Sequence, residues 1–135
     1  MDVRIQSEEI DILSLIEKTK RENAGAVVTF QGTVRRYTDK SEVQSLIYES
    51  YTEMALEILR SIVEGAAKKY GLLDANVIHR TGNIHIMEDS VAICVSSVHR
   101  RDAFKACEYI IDEIKKRAPI WKKDVYPEGN TMWHD

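Results

Sequence analysis

The chain has 135 residues, 44% of them hydrophobic and 30% charged, with a formal net charge of -3. Such a length predicts one folding unit over residues 1–135 that buries roughly two thirds of its unfolded surface. The acidic balance argues against non-specific nucleic-acid binding, which rests on positive charge summed over a broad face, and the lack of a long apolar run or a secretory leader after Met1-Asp2-Val3-Arg4 predicts a cytoplasmic protein with no membrane partner.

In chain order, a short strand is expected near Val3 to Ile5. Ser7 is a candidate N-cap for a helix with Glu8 and Glu9 in its first turn and Ile10, Leu13 and Ile16 on one face, ending near Asn23. Ala26 to Val34 and Val43 to Ser50 then read as strands on either side of a polar loop from Arg35 to Glu42, which suggests a hairpin. Thr52 is expected to cap a long apolar-faced helix with Ala55, Leu59, Ile62, Val63, Ala66 and Tyr70 at helical spacing and Gly71 as its stop. Strands near Ala75 to Arg80, Asn83 to Met87 and Val91 to Val98 follow. A last helix carries Phe104, Cys107, Ile110, Ile111 and Ile114 up to Pro119, beyond which Ile120 and Trp121 are expected to pin the chain back onto the core. There is no internal repeat, low-complexity tract or linker. Helices and strands come in unequal clusters, which favours an α+β fold with mainly antiparallel sheet.

Candidate chemistry concentrates in cations. Lys115-Lys116-Arg117 and Lys122-Lys123 crowd both sides of Pro119, and the bend should hold Lys122 near Lys115. Cations at a helix C-terminus are also favoured by the helix dipole, so this pattern alone leaves a structural reading open. His99 and Arg100 lie at the start of the same helix, where free backbone N–H groups favour an anion, although an exposed charged turn explains them equally well. Arg35 ends an apolar strand just after Gly32, and Arg36 is assigned to solvent. His79 and His85 read as structural histidines, and Cys94 and Cys107 as small core hydrophobes. No metal-ligand spacing, Gly-rich phosphate loop or nucleophile elbow occurs, so no metal or cofactor is expected.

Several stretches together resemble the MoaE family, the large catalytic subunit of molybdopterin synthase. They are Gly25-Ala26-Val27-Val28-Thr29-Phe30-Gln31-Gly32-Thr33-Val34-Arg35, Tyr48-Glu49-Ser50-Tyr51, Ile78-His79-Arg80-Thr81-Gly82, Ser97-Val98-His99-Arg100-Arg101-Asp102-Ala103-Phe104, Arg117-Ala118-Pro119-Ile120-Trp121-Lys122-Lys123 and Pro127-Glu128-Gly129. The resemblance implies a hammerhead-type α+β fold. It also implies a homodimer that carries a small ubiquitin-like sulfur-carrier subunit of the MoaD type at each end, making a heterotetramer. The carrier's C-terminal Gly-Gly thiocarboxylate would deliver sulfur to cyclic pyranopterin monophosphate, and two rounds would make the dithiolene of molybdopterin. By the same resemblance Lys115 is the principal catalytic lysine, Lys122 a second one, and Arg35, His99 and Arg100 bind the substrate phosphate, part of the pocket coming across the dimer interface. The chain departs from the family at Glu88, where glycine is usual, at Asp124, where glutamate is common, and at its end, where relatives often carry a further basic residue.

Elementary chemistry agrees with that implication. Thiocarboxylate and phosphate are both anions, so a site that joins them must neutralise charge, and crowded lysines lower one another's pKa toward the range useful for proton transfer. Arginine could not give up its proton near neutral pH. A non-catalytic module that binds a phosphorylated ligand or an acidic tail needs only the charge. RNA binding is disfavoured by net charge and by the lack of an aromatic platform beside the basic residues.

Overall fold

A computed structural model of the chain describes residues 1–38 and 41–134. Its elements are β1 (Val3–Gln6), α1 (Ile12–Thr19), β2 (Ala26–Thr33), β3 (Ser45–Ser50), α2 (Thr52–Tyr70), β4 (Asp74–Arg80), β5 (Gly82–His85), β6 (Asp89–Ser97), α3 (Arg100–Arg117), β7 (Ile120–Val125) and β8 (Thr131–His134). The strands form two sheets, ordered β1-β4-β6-β2 and β5-β3-β7-β8. Every pair is antiparallel except β1 with β4, so the α+β expectation holds.

The first sheet is covered on both faces, and β4 and β6 therefore read as nearly unbroken buried runs. On one face Val77, Val91, Ile93 and Val95 meet Leu59, Ile62 and Val63 of α2 and Cys107, Ile110 and Ile114 of α3. On the other, Ile78, Ala92 and Cys94 meet Leu15 of α1. Fully buried side chains such as Leu59, Ile93 and Ile110 each contribute roughly 1.5–3 kcal/mol relative to exposure. Both cysteines are buried, as expected. The long helix ends at Gly71, whose φ of 63° suits glycine and whose N–H donates to the Ala67 carbonyl.

Several expectations are corrected. The first helix is capped by Asp11, whose carboxylate accepts from the Ser14 N–H, and not by Ser7. The Ser7 carbonyl is taken by the Arg80 guanidinium at 3.0 Å, and Gln6 donates to the carbonyls of Glu8 and Glu9, which holds this stretch outside the helix. The helix also ends earlier, at Thr19, because Arg21 turns away to reach Asp74 at 2.6 Å. Thr52 is the first helical residue and not the cap; Tyr51 precedes it without a capping side-chain bond. Phe104 is 60% exposed, since α3 presents Ala103, Ala106, Cys107, Ile110 and Ile114 to the core.

The expected hairpin between β2 and β3 does not form. β2 pairs with β6, where its apolar residues are partly buried on both faces, while β3 crosses to the second sheet between β5 and β7. The change of sheet is made by Val34, which exchanges backbone hydrogen bonds with Met87 and Glu88, and by the Val43 N–H, which donates to the Arg36 carbonyl. Residues 39 and 40 of the expected loop lie outside the described residues. The segment after Pro119 becomes two strands that periodicity did not reveal.

A buried polar network ties the N-terminal region to β4. Asn76, 1% exposed, accepts from the Asp2 N–H at 2.7 Å and donates to Thr19 Oγ1 at 2.8 Å and to Asp74 at 3.1 Å. Truncating it leaves these groups without partners in a low-dielectric site, so Asn76→Ala is expected to cost about 2 kcal/mol. Gly65→Ala, in an exposed helical position where an added Cβ meets nothing within 4 Å, is expected to gain about 0.5–1 kcal/mol. Urea unfolding midpoints of the two variants, moving in opposite directions, are the check.

Candidate active site

Pro119 sets the site's geometry. It cannot continue α3, and Ala118 before it is extended, at φ -76° and ψ 131°. The chain then reverses and runs beside β3, helped by the Tyr51 N–H donating to the Pro119 carbonyl at 3.1 Å. In the resulting register Ile120 lies opposite Ser50 and Lys122 opposite Tyr48. Trp121 does not pin into the core; it is 40% exposed and meets Tyr51 edge-on, ring centres 4.7 Å apart.

This return brings Arg35, Lys115 and Lys122 to the wall of one cavity of about 580 Å³. Lys116 and Arg117 each lie within 4 Å of Glu113, whereas Lys115 makes no ion pair among the described residues. Lys122 is half-buried, and its pKa is lowered from 10.5, first by loss of hydration and then by the charge of Lys115, with a smaller push from Arg35; Asp124, two residues along β7, acts in the opposite sense. The arrangement can hold more than one negative charge and offers an ammonium that releases its proton more readily than a solvated lysine does.

The cavity floor is a row across the first sheet, Gly32 opposite Val91 and Val91 opposite His79. A Cβ on Gly32 would lie 2.7 Å from Val91 Cγ1, so only glycine keeps this part of the floor low. Tyr48 leans over the row, its ring edge-on to His79 at 5.2 Å. Burial raises its pKa, the nearby Ser90 opposing that rise, and Ser90 donates to the Gly32 carbonyl at 3.0 Å.

His99 and Arg100 are elsewhere. They line a separate hollow of about 510 Å³ with Arg101, Phe104 and Lys105 at the opposite end of α3. Lys115 lies fifteen positions beyond Arg100 along the helix, roughly 22 Å at 1.5 Å per residue. Within one protomer the five cations therefore do not form one pocket. The sequence treats them alike; the fold splits them into three and two.

The family model described as MoaE protein matches residues 5–117. The chain belongs to the MoaE family. A molybdopterin synthase catalytic subunit from Thermoplasma volcanium is 51% identical over 132 residues, covering 98% of this chain and 96% of that one. One from Pyrococcus abyssi is 38% identical over 122 residues, covering 90% and 82%. The crystal structure of molybdopterin synthase from Staphylococcus aureus superimposes with a TM-score of 0.91 at 38% identity, covering 97% and 95%.

Around this cavity, the sequence pattern pointed to no binding role for Gly32, Tyr48, His79 or Ser90. Tyr48 and His79 both fall in stretches that carry the family resemblance, and that was their only signal. No cluster of three or more His, Cys, Asp or Glu suited to a metal occurs among the described residues. Cys107 is no candidate nucleophile, because burial above all, with a smaller contribution from Cys94, pushes its thiol up to about 11.

Because the fold holds Lys122 below its ordinary pKa, carrying the charge costs the folded state stability at neutral pH. That cost persists below the folded pKa and disappears as pH rises from there to the unfolded value near 10.5. Lys122→Met is therefore expected to raise the thermal midpoint at pH 7, with the gain shrinking toward pH 10. Lys115→Ala should move the Lys122 pKa only part of the way back, since burial is the larger cause; heteronuclear NMR of the lysine side chain reads this directly.

Proposed function

We propose that this chain is the catalytic subunit of a molybdopterin synthase, a sulfurtransferase acting in the cytoplasm as one folded unit over residues 1–135. It takes sulfur from the C-terminal thiocarboxylate of a small ubiquitin-like carrier of the MoaD type and places it on cyclic pyranopterin monophosphate, twice, to make the molybdopterin dithiolene. The observation that carries this reading is the meeting of Arg35, Lys115 and Lys122 in one cavity, with Lys122 made the weaker holder of its proton. Supporting it, no helix among the described residues is long and apolar enough to cross a membrane.

The residues divide the work by their environments. Arg35, exposed and permanently charged, neutralises the substrate phosphate, and Lys115 neutralises the incoming thiocarboxylate so that two anions can approach. Lys122, half-buried beside them, gives a proton to the oxygen that leaves as the carbon–sulfur bond forms and recovers it afterwards. The carrier brings the sulfur, so the buried thiols of Cys94 and Cys107 take no part. His99 and Arg100 serve the cavity of a second copy in a homodimer, since they lie about a helix length from their own Lys115. Two carriers complete the heterotetramer.

Reconstitution with thiocarboxylated carrier and cyclic pterin is the central test, and molybdopterin must appear. In single-turnover runs Lys122→Arg is expected to slow product formation by about 100-fold or more, the scale of a lost proton-transfer group, while calorimetry shows carrier binding nearly unchanged. A near-normal rate in that variant would instead fit a site that needs only charge.

Sharing of the cavity has its own test. Lys122→Ala and His99→Ala proteins, each impaired alone, should regain activity after subunit exchange, because a mixed dimer holds one cavity with both residues intact. Light scattering should give a dimer throughout. A monomer, or mixtures no better than their components, would count against the shared cavity.

A further inference from the structure

His79 sits on β4 at the cavity floor and is only 5% exposed. Its Nδ1 lies 2.8 Å from the Arg80 carbonyl oxygen. A carbonyl can only accept, so Nδ1 carries the hydrogen. Burial lowers the pKa of the ring, and the neutral imidazole then has a bare Nε2 with a lone pair to share. No group among the described residues hydrogen-bonds to Nε2. Nor is it sealed away: Ser96 Oγ is the partnerless, fully enclosed side-chain polar atom among the described residues. His79 lines the cavity, and Nε2 is its ring nitrogen without a partner.

A buried acceptor left open to a cavity costs stability unless something occupies it. Several polar neighbours around it are committed or cationic. Ser90 is engaged with Gly32, and the three cations can only donate. Among these neighbours Nε2 is thus the acceptor that a neutral N–H on a ligand can find, set apart from the charges that hold its anionic part.

We propose that His79 Nε2 accepts a hydrogen bond from an N–H group of the bound ligand and so fixes how that ligand lies between the cations and the floor. The naming of ligands rests on the synthase reading. Two sources offer this chemistry there: the ring and amino N–H groups of the cyclic pterin, and the backbone amides of the carrier's Gly-Gly tail. The role is that of a positioning residue, without proton transfer.

Two variants separate the side chain's two bonds. His79→Asn can keep a donor near the Nδ1 position for Arg80 but loses the acceptor facing the cavity. His79→Gln reaches the Nε2 position with its carboxamide oxygen but abandons Arg80. Each is titrated calorimetrically, beside wild type, with the cyclic pterin and separately with carrier ending in an ordinary carboxylate, and each is melted without ligand. His79→Asn is expected to melt close to wild type yet bind one ligand about tenfold more weakly, the scale of one lost hydrogen bond. The ligand affected identifies the source of the N–H. His79→Gln should melt lower yet bind within about threefold of wild type.

Folded His79→Asn protein that binds both ligands as wild type does would overturn the inference and leave only the structural bond to Arg80. If that variant does not fold, His79→Gln decides, retained affinity supporting the acceptor and lost affinity in folded protein overturning it. Wild-type protein that binds neither ligand would overturn the synthase reading itself, and this inference with it.

Discussion

Lys115 and Lys122 repel each other, and the pairing of β3 with β7 holds them at one cavity regardless. Six residue pairs, from Ser45 opposite Val125 to Ser50 opposite Ile120, fix β7 in register, so Lys122 is placed by backbone hydrogen bonds and not by any attraction of its own. The second constraint is Pro119, which stops α3 within one turn of Lys115 and sends the chain back. Remove either and the two ammonium groups would separate into water, where Lys122 would regain its hydration and its ordinary proton affinity. The fold thus maintains a locally unfavourable arrangement, and the lowered pKa of Lys122 records it.

Rigidity behind the cavity comes from the sheet that β4 and β6 build. Its two faces are closed by different helices, and on the α1 side closure depends on polar groups as well as apolar ones, through Asn76, Asp74 and Arg21. Such a network is favourable only when complete, which ties the N-terminal segment closely to the sheet. On the α3 face those strands and β2 supply the row of Gly32, Val91 and His79. One sheet therefore serves as core on most of its area and as the floor of a binding cavity at one end. The transition is made by shrinking a side chain to glycine and by turning one nitrogen of a histidine outward.

The division of cations between the two ends of α3 is the structural feature that most changes the chemical picture. A single chain presents a cation-lined hollow at each end of an 18-residue helix. Exposed Phe104 lines the smaller hollow with His99 and Arg100, and exposed Val98 precedes them in the chain. Antiparallel association of two such chains would bring unlike halves together twice, which is the economy that two-fold symmetry offers.

Much was legible from residue pattern. The long helix and its Gly71 stop, the buried strands β4 and β6, the helix leading to Pro119, and the cationic identity of the site all follow from local rules: periodicity, propensity and the geometry of glycine and proline. Wherever a residue's fate depended on a distant partner, pattern failed. Ser7 looked like a cap until Arg80, seventy-three residues away, took its carbonyl. β2 and β3 looked like a hairpin because they are adjacent in sequence, but β6 and β7 offered better-matched faces. β7 itself, IWKKDV, has no alternation strong enough to announce a strand and exists because β3 has an open edge. His79 read as a satisfied core histidine, which is right for Nδ1 and wrong for Nε2. The sequence by itself determined which charges and which apolar faces this protein has, since these are properties of residues and their near neighbours. Only the tertiary structure decided which charges meet and which nitrogen faces a cavity, because those depend on strand register and on contacts between segments far apart in the chain.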